Sequence, residues 1–102
     1  MSLDQHFVET SEAILAQLGF KDIKSFVKNQ ALLLMLAKIE KYQAEDRLFE
    51  KKYKINFEGF EEKIKNLRNE EVFEQEDDYL DWRYARESLD RLKTQEQALE
   101  HA

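Results

Sequence analysis

The chain contains no cysteine and no proline. Without cysteine, neither a disulfide framework nor a thiolate metal site can form. Without proline, nothing forces a kink or break inside a helix. Glycine occurs only at positions 19 and 59, which excludes a glycine-rich phosphate loop. Histidine occurs only at positions 6 and 101, near the two ends. Serine nucleophiles therefore find no central histidine base. No Glu-x-x-His pair exists for a carboxylate-bridged metal site in a bundle. No run approaches the roughly 20 apolar residues of a membrane span, and Met1-Ser2-Leu3 does not open a secretory leader. The expectation is a non-enzymatic, cytoplasmic protein with no cofactor, no metal and no membrane contact.

What remains is charge and helix-forming residues. Of 102 residues, 37% are charged, a composition suited to long helices with few turns. The net charge is −6, and it is unevenly placed. Residues 1–53 carry eight basic and eight acidic side chains, whereas residues 54–102 carry eight basic and fourteen acidic. A basic footprint for nucleic acid is absent overall. An acidic arm on a neutral body fits a basic protein partner, or a solvated surface.

The most informative stretch is Ala31-Leu32-Leu33-Leu34-Met35-Leu36-Ala37, apolar on every side of a helix. A surface helix of a monomer shows one apolar stripe, so this segment must be wrapped by others. Around it, Asp22 is placed as a helix cap, and helical patterning continues to Tyr53. Leu32, Met35, Ile39, Tyr42, Asp46, Phe49 and Tyr53 step alternately by three and four, a heptad seam broken once at Asp46. Such a helix would span roughly 45 Å.

A first helix is expected before it, capped by Asp4 and apolar at Phe7, Ile14, Leu15 and Leu18. Gly19 is placed to end that helix in the left-handed conformation, with Phe20 folding back on Leu15. After Tyr53, Asn56 caps a short helix that sets Phe57, Phe60, Ile64 and Leu67 on one face. Ile55 and Phe60 stand at the two positions of a hydrophobic staple. Residues 69–75 read as a loop. A final helix is expected from about Glu76, with Trp82, Ala85, Leu89, Leu92 and Leu99 in heptad rhythm and a gap at Glu96.

Two features bear on function. Residues 70–81 contain seven carboxylates and no basic side chain. The loop spacing of a calcium hand is missing, which leaves imitation of a nucleic acid, a basic partner, or a solvated loop and helix start. Tyr79, Trp82 and Tyr84 lie there beside Arg83 and Arg86, residue types enriched at binding hot spots. Tyr79 and Trp82 share a face, while Tyr84 points elsewhere. They can cover the long helix, anchor a partner, or both.

Ser2-Leu3-Asp4-Gln5-His6-Phe7, Leu18-Gly19-Phe20-Lys21-Asp22-Ile23 and Ser25-Phe26-Val27-Lys28 together resemble the ribbon-helix-helix family of small DNA-binding dimers. Phe49-Glu50-Lys51-Lys52-Tyr53, Asn56-Phe57-Glu58-Gly59-Phe60-Glu61 and Glu76-Asp77-Asp78-Tyr79-Leu80-Asp81-Trp82 resemble small archaeal and bacterial antitoxin components. The resemblance implies a homodimer, a DNA-reading ribbon and a C-terminal part that blocks a toxin. Only three residues precede Asp4, and none is basic, so dimerisation follows from it more directly than base reading.

The expected architecture is all-α: a helical hairpin with one very long central helix, a short helix and a C-terminal helix packing back. Residues 1–53 would form the dimerisation part and residues 54–102 an acidic helical arm. Leu32, Leu33, Met35, Leu36 and Ile39 are the expected dimer contacts. Asp77, Asp78, Tyr79, Asp81 and Trp82 are the expected contacts to a basic protein such as a toxin nuclease. A DNA-binding repressor and a self-assembling helical scaffold are the alternatives.

Overall fold

The computed structural model describes residues 3–66 and 73–102. Among the described residues, four helices account for the regular structure: α1 (Gln5–Gln17), α2 (Ile23–Tyr53), α3 (Phe57–Lys65) and α4 (Phe73–Glu100). Among the described residues there is no strand, and the protein is all-α.

Local chemistry sets each boundary. The Asp4 carboxylate accepts from the Phe7 N–H at 3.2 Å, and that of Asp22 accepts from the Ser25 N–H at 2.8 Å. Hydrogen bonds from Ser25 hold the Asp22 carboxyl below the usual carboxylate range. The Asn56 side chain accepts from the Gly59 N–H at 2.8 Å. Each cap satisfies a donor that the first turn of a helix leaves free. Gly19 has φ +92°, and the Phe20 N–H reaches Leu15 O while the Gly19 N–H reaches Ala16 O. These are the paired bonds of a Schellman ending. The Phe20 ring itself turns onto Phe26, edge to face at 5.1 Å. A further bond, from the Ile23 N–H to Glu12 Oε2 at 3.3 Å, ties α1 to the start of α2.

The long helix ends at Tyr53, as its pattern predicts, with Lys54 as its C-cap. Lys54 adopts φ 56°, ψ 36°, and its N–H bonds to Glu50 O at 2.7 Å. Lysine has no preference for that left-handed geometry, so the stop carries no composition signal. Helix α4 begins at Phe73, three residues before the expected Glu76. Its first turn carries Glu74 and Glu76, which complement the positive end of the helix dipole. Leu67 and residues 69–72 of the expected loop lie outside the described residues.

Helix α4 runs back along α2 as the antiparallel arm of a hairpin. Near its end, Lys28 Nζ bonds to Glu100 O at 2.8 Å. The two heptad rhythms meet face to face. Ile39 and Tyr42 are buried against Ala85 and Leu89, with Leu92 packed beside them. Further along, Phe57, Phe60 and Trp82 form an aromatic core flanked by Phe49, Tyr53, Ile64 and Tyr79. Helices α3 and α4 therefore pack on α2 and share its core. The molecule measures 65 × 27 × 22 Å. Its radius of gyration is 20.8 Å, against about 13 Å for a compact domain of this length.

Lys54→Gly should remove the left-handed strain at the α2 stop and stabilise the chain by about 0.5–1 kcal/mol. Thermal unfolding reads this as a rise of a few degrees; a fall would contradict the assignment of strain there.

Candidate functional site

The most chemically specific part of the hairpin is the polar frame around Trp82, which is fully buried. Its ring stacks on Phe49 at 5.5 Å and meets Phe57 edge-on at the same separation. Its indole N–H donates to Asp46 Oδ1 at 2.7 Å. Asp46 is the one polar break in the α2 seam, and the break is where the indole needs an acceptor. Arg86 completes the frame, lying 3.5 Å from Asp46 Oδ2 and 2.8 Å from Glu58 Oε1, with its guanidinium over the Phe57 ring.

A second polar group closes the tip of the hairpin. Lys52 Nζ lies 2.7 Å from Asp78 Oδ2 and 2.9 Å from Glu74 Oε1, and the Tyr53 hydroxyl donates to the same Asp78 oxygen. Burial would raise the Asp78 carboxyl, but hydrogen bonds from Lys52 and Tyr53 outweigh it and hold it below its usual value. Burial first, and then the bond to Asp78, push the Tyr53 phenol up to about 12. Tyr79 reaches across to α3, donating to Glu61 Oε2 at 2.7 Å, and lies flat on Phe57.

These contacts redistribute the expected partner residues. Trp82, Tyr79 and Asp78 face inward and hold α2, α3 and α4 together. Trp82 is thus a core residue that covers the long helix, and its place among the expected partner contacts is corrected because it is fully buried within the chain. Asp77 and Asp81 lie on the outer face, exposed. Tyr84 also faces out, 58% exposed.

The expected dimer contacts divide similarly. Ile39 is buried within the chain against α4, which corrects its assignment to a contact between chains. Leu32 and Met35 share its seam and are half-buried, whereas Leu33 and Leu36 are exposed. Beside them Leu34 is 71% exposed, and Phe7, Ile14, Leu18 and Val27 are exposed too. The α1 residues were legible as the apolar face of an amphipathic helix. What sequence reasoning missed is that α2 covers that face only at Leu15. An apolar cleft between α1 and α2 results, of about 430 Å³, lined by Leu3, Phe7, Ile14, Ile23, Phe26 and Val27.

Chemically, the chain offers surfaces. Among the described residues, no group of His, Asp and Glu is gathered to hold a metal ion, and no helix is long and apolar enough to cross a membrane. Compared with known protein families, characterised proteins and solved structures, the chain finds no match.

Two outcomes test this frame. Asp46→Ala should strip the indole of its acceptor and cost about 1–3 kcal/mol in urea unfolding, with Asp46→Asn, which keeps an acceptor, costing less. Equal losses would deny the hydrogen bond its role. On the alkaline side, the folded Tyr53 phenol holds its proton to about pH 12, whereas an unfolded tyrosine loses it near pH 10. Its contribution is full below about pH 10 and is lost as pH rises toward the folded value. Tyr53→Phe should flatten the fall in stability across that interval; an unchanged profile would place the alkaline transition elsewhere.

Proposed function

We infer that the protein is a dimeric, antitoxin-like interaction module. The α1 face and the first half of α2 form the surface that meets a second copy, and the acidic arm, residues 54–102, engages a basic protein partner. One observation carries the dimer: apolar exposure is concentrated at one end. Leu18, Val27, Leu33 and Leu34 are each more than half exposed, on adjoining helices. Fully burying one leucine is worth about 1.5–3 kcal/mol, against a total stability of only about 5–15 kcal/mol.

Surface area supports the same reading. The single chain exposes 8034 Å², whereas a folded monomer of 12.3 kDa is expected to expose roughly 6,100 Å². The excess is roughly 1,900 Å² per chain. Doubled for two chains, it falls within the 2,000–5,000 Å² or so that obligate homodimers bury. Supporting the arm's role, the charge surplus of the chain is acidic and lies in residues 54–102. An acidic surface speeds encounter with a basic partner and disfavours acidic ones.

Sedimentation equilibrium at low micromolar concentration should give a mass near twice 12.3 kDa. Leu33→Glu with Leu34→Glu should give a helical monomer, because neither side chain is needed for the α2–α4 core. A monomeric parent chain would remove the dimer. Co-expression with the product of the adjacent gene, followed by purification on one tag, tests the basic partner; separate elution counts against it.

A further inference from the structure

The inward turn of Trp82 and Tyr79 moves the partner question to the outer face of α4. Asp77, Leu80, Asp81 and Tyr84 stand at i, i+3, i+4 and i+7, one face of a helix. Leu80 and Tyr84 are each 58% exposed. Across from them on α2, Leu48 is 64% exposed. Between the helices runs a cleft of about 390 Å³, with Leu48, Phe49 and Tyr42 in its wall, Tyr84 and Asp81 along one side and Glu45 along the other. The Tyr84 ring is propped edge-on against Tyr42 at 5.9 Å, which holds it as one side of the cleft.

The charge on this face is specific. Among the described residues, Glu45, Asp77 and Asp81 make no ion pair, whereas the inward carboxylates Asp46 and Asp78 both do. Lys41 is the one cation lining the cleft, at its Tyr84 end. We propose that this cleft docks one face of a basic amphipathic helix: an apolar side chain enters between Leu48 and Tyr84, and flanking Lys or Arg residues meet Glu45, Asp77 and Asp81. Charge complementarity selects the occupant. A peptide with an apolar stripe and basic flanks satisfies the cleft and its rim together, and an acidic or uncharged helix leaves the three carboxylates unmatched. Lys41 sets the direction, since it complements the negative C-terminal end of a helix dipole. The docked helix then runs with its positive N-terminus toward Asp77. The inference rests on the reading of the arm as the surface for a basic partner, and supplies the site.

The test uses the full chain and a synthetic peptide of about 14 residues, four helical turns, built from Leu, Lys and Ala with leucines on one face. Calorimetry should show one peptide per chain, and amide NMR shifts should cluster at residues 41–49 and 77–84. Leu48→Ser with Tyr84→Ser should weaken binding about tenfold or more, as expected for hot-spot contacts. Asp77→Asn with Asp81→Asn should weaken it several-fold, and most of that difference should vanish near 1 M salt, where the screening length is about 3 Å. All four positions are exposed, so the variants should keep the parent helical signal. Equal binding of a scrambled peptide of the same composition would overturn the site by reducing it to diffuse attraction. Shifts confined to α1 and the first half of α2, or full affinity in the Leu48→Ser, Tyr84→Ser chain, would also overturn it. A natural basic partner that still binds that double variant would dismiss this cleft and leave the arm's proposed role standing.

Discussion

The hydrogen bond from the Trp82 indole to Asp46 is the point on which the hairpin is registered. An apolar seam alone lets two antiparallel helices slide by a turn at little cost. A buried indole donor and the one carboxylate in the facing seam do not, because a slip moves the acceptor away from the donor. With 2.7 Å between them, α4 is held against α2 at one place, and the rest of the pairing follows from it. Ile39 and Tyr42 then reach Ala85 and Leu89, and Lys52 and Tyr53 reach Asp78. Helix α3 is clamped onto this pair from the side, through Phe60, Glu58 and Glu61.

That register divides the molecule into two kinds of surface. The half of α2 beyond Ile39 has its seam covered by aromatics from its own chain. The half before it carries leucines that α4 does not reach and a helix, α1, that covers little of them. A 31-residue helix is about 46 Å long; α4, of 28 residues, lines one side of it back to Lys28, and the other sides of its first half stay bare at Leu33 and Leu34. Self-sufficiency at one end and exposed oil at the other are thus consequences of one design, a rod coated on several sides at one end and mainly on one side at the other. The outer face of the arm is different again. It mixes a few exposed apolar side chains with carboxylates that have no internal task, the composition of a rim and not of a core.

Much of this architecture was legible in the sequence because it is local. Asp4, Asp22 and Asn56 cap helices by reaching three residues ahead, and Gly19 ends one by adopting a conformation other residues avoid. The two heptad rhythms were legible as well, since a period of three and four reports which side of a helix is apolar. It does not report what the side faces. Ile39 looked like a contact between chains, and proved to belong to the core of one, because a seam along α2 looks the same whether α4 or a second copy fills it. Trp82 was ambiguous for a related reason: a large amphipathic ring beside arginines suits a buried brace as well as an anchor. The acceptor at Asp46 decides between them, and it lies 36 positions away in sequence. Lys54 gave no warning of a left-handed stop. The outward face of Asp77, Leu80, Asp81 and Tyr84 was discernible only once its neighbours were known to point in.

Hydrogen exchange on the full chain at two concentrations about tenfold apart is the most direct test of this division. Opening within one chain does not depend on concentration, whereas opening that requires two chains to separate does. Amides of residues 42–53 and 79–89 should exchange at the same rate in both samples. Those of residues 5–17 and 23–36 should be better protected in the more concentrated one. The reverse pattern, with protection of the α2–α4 seam rising with concentration and the α1–α2 end unaffected, would contradict a hairpin that folds on itself and leaves its leucine end for a second copy.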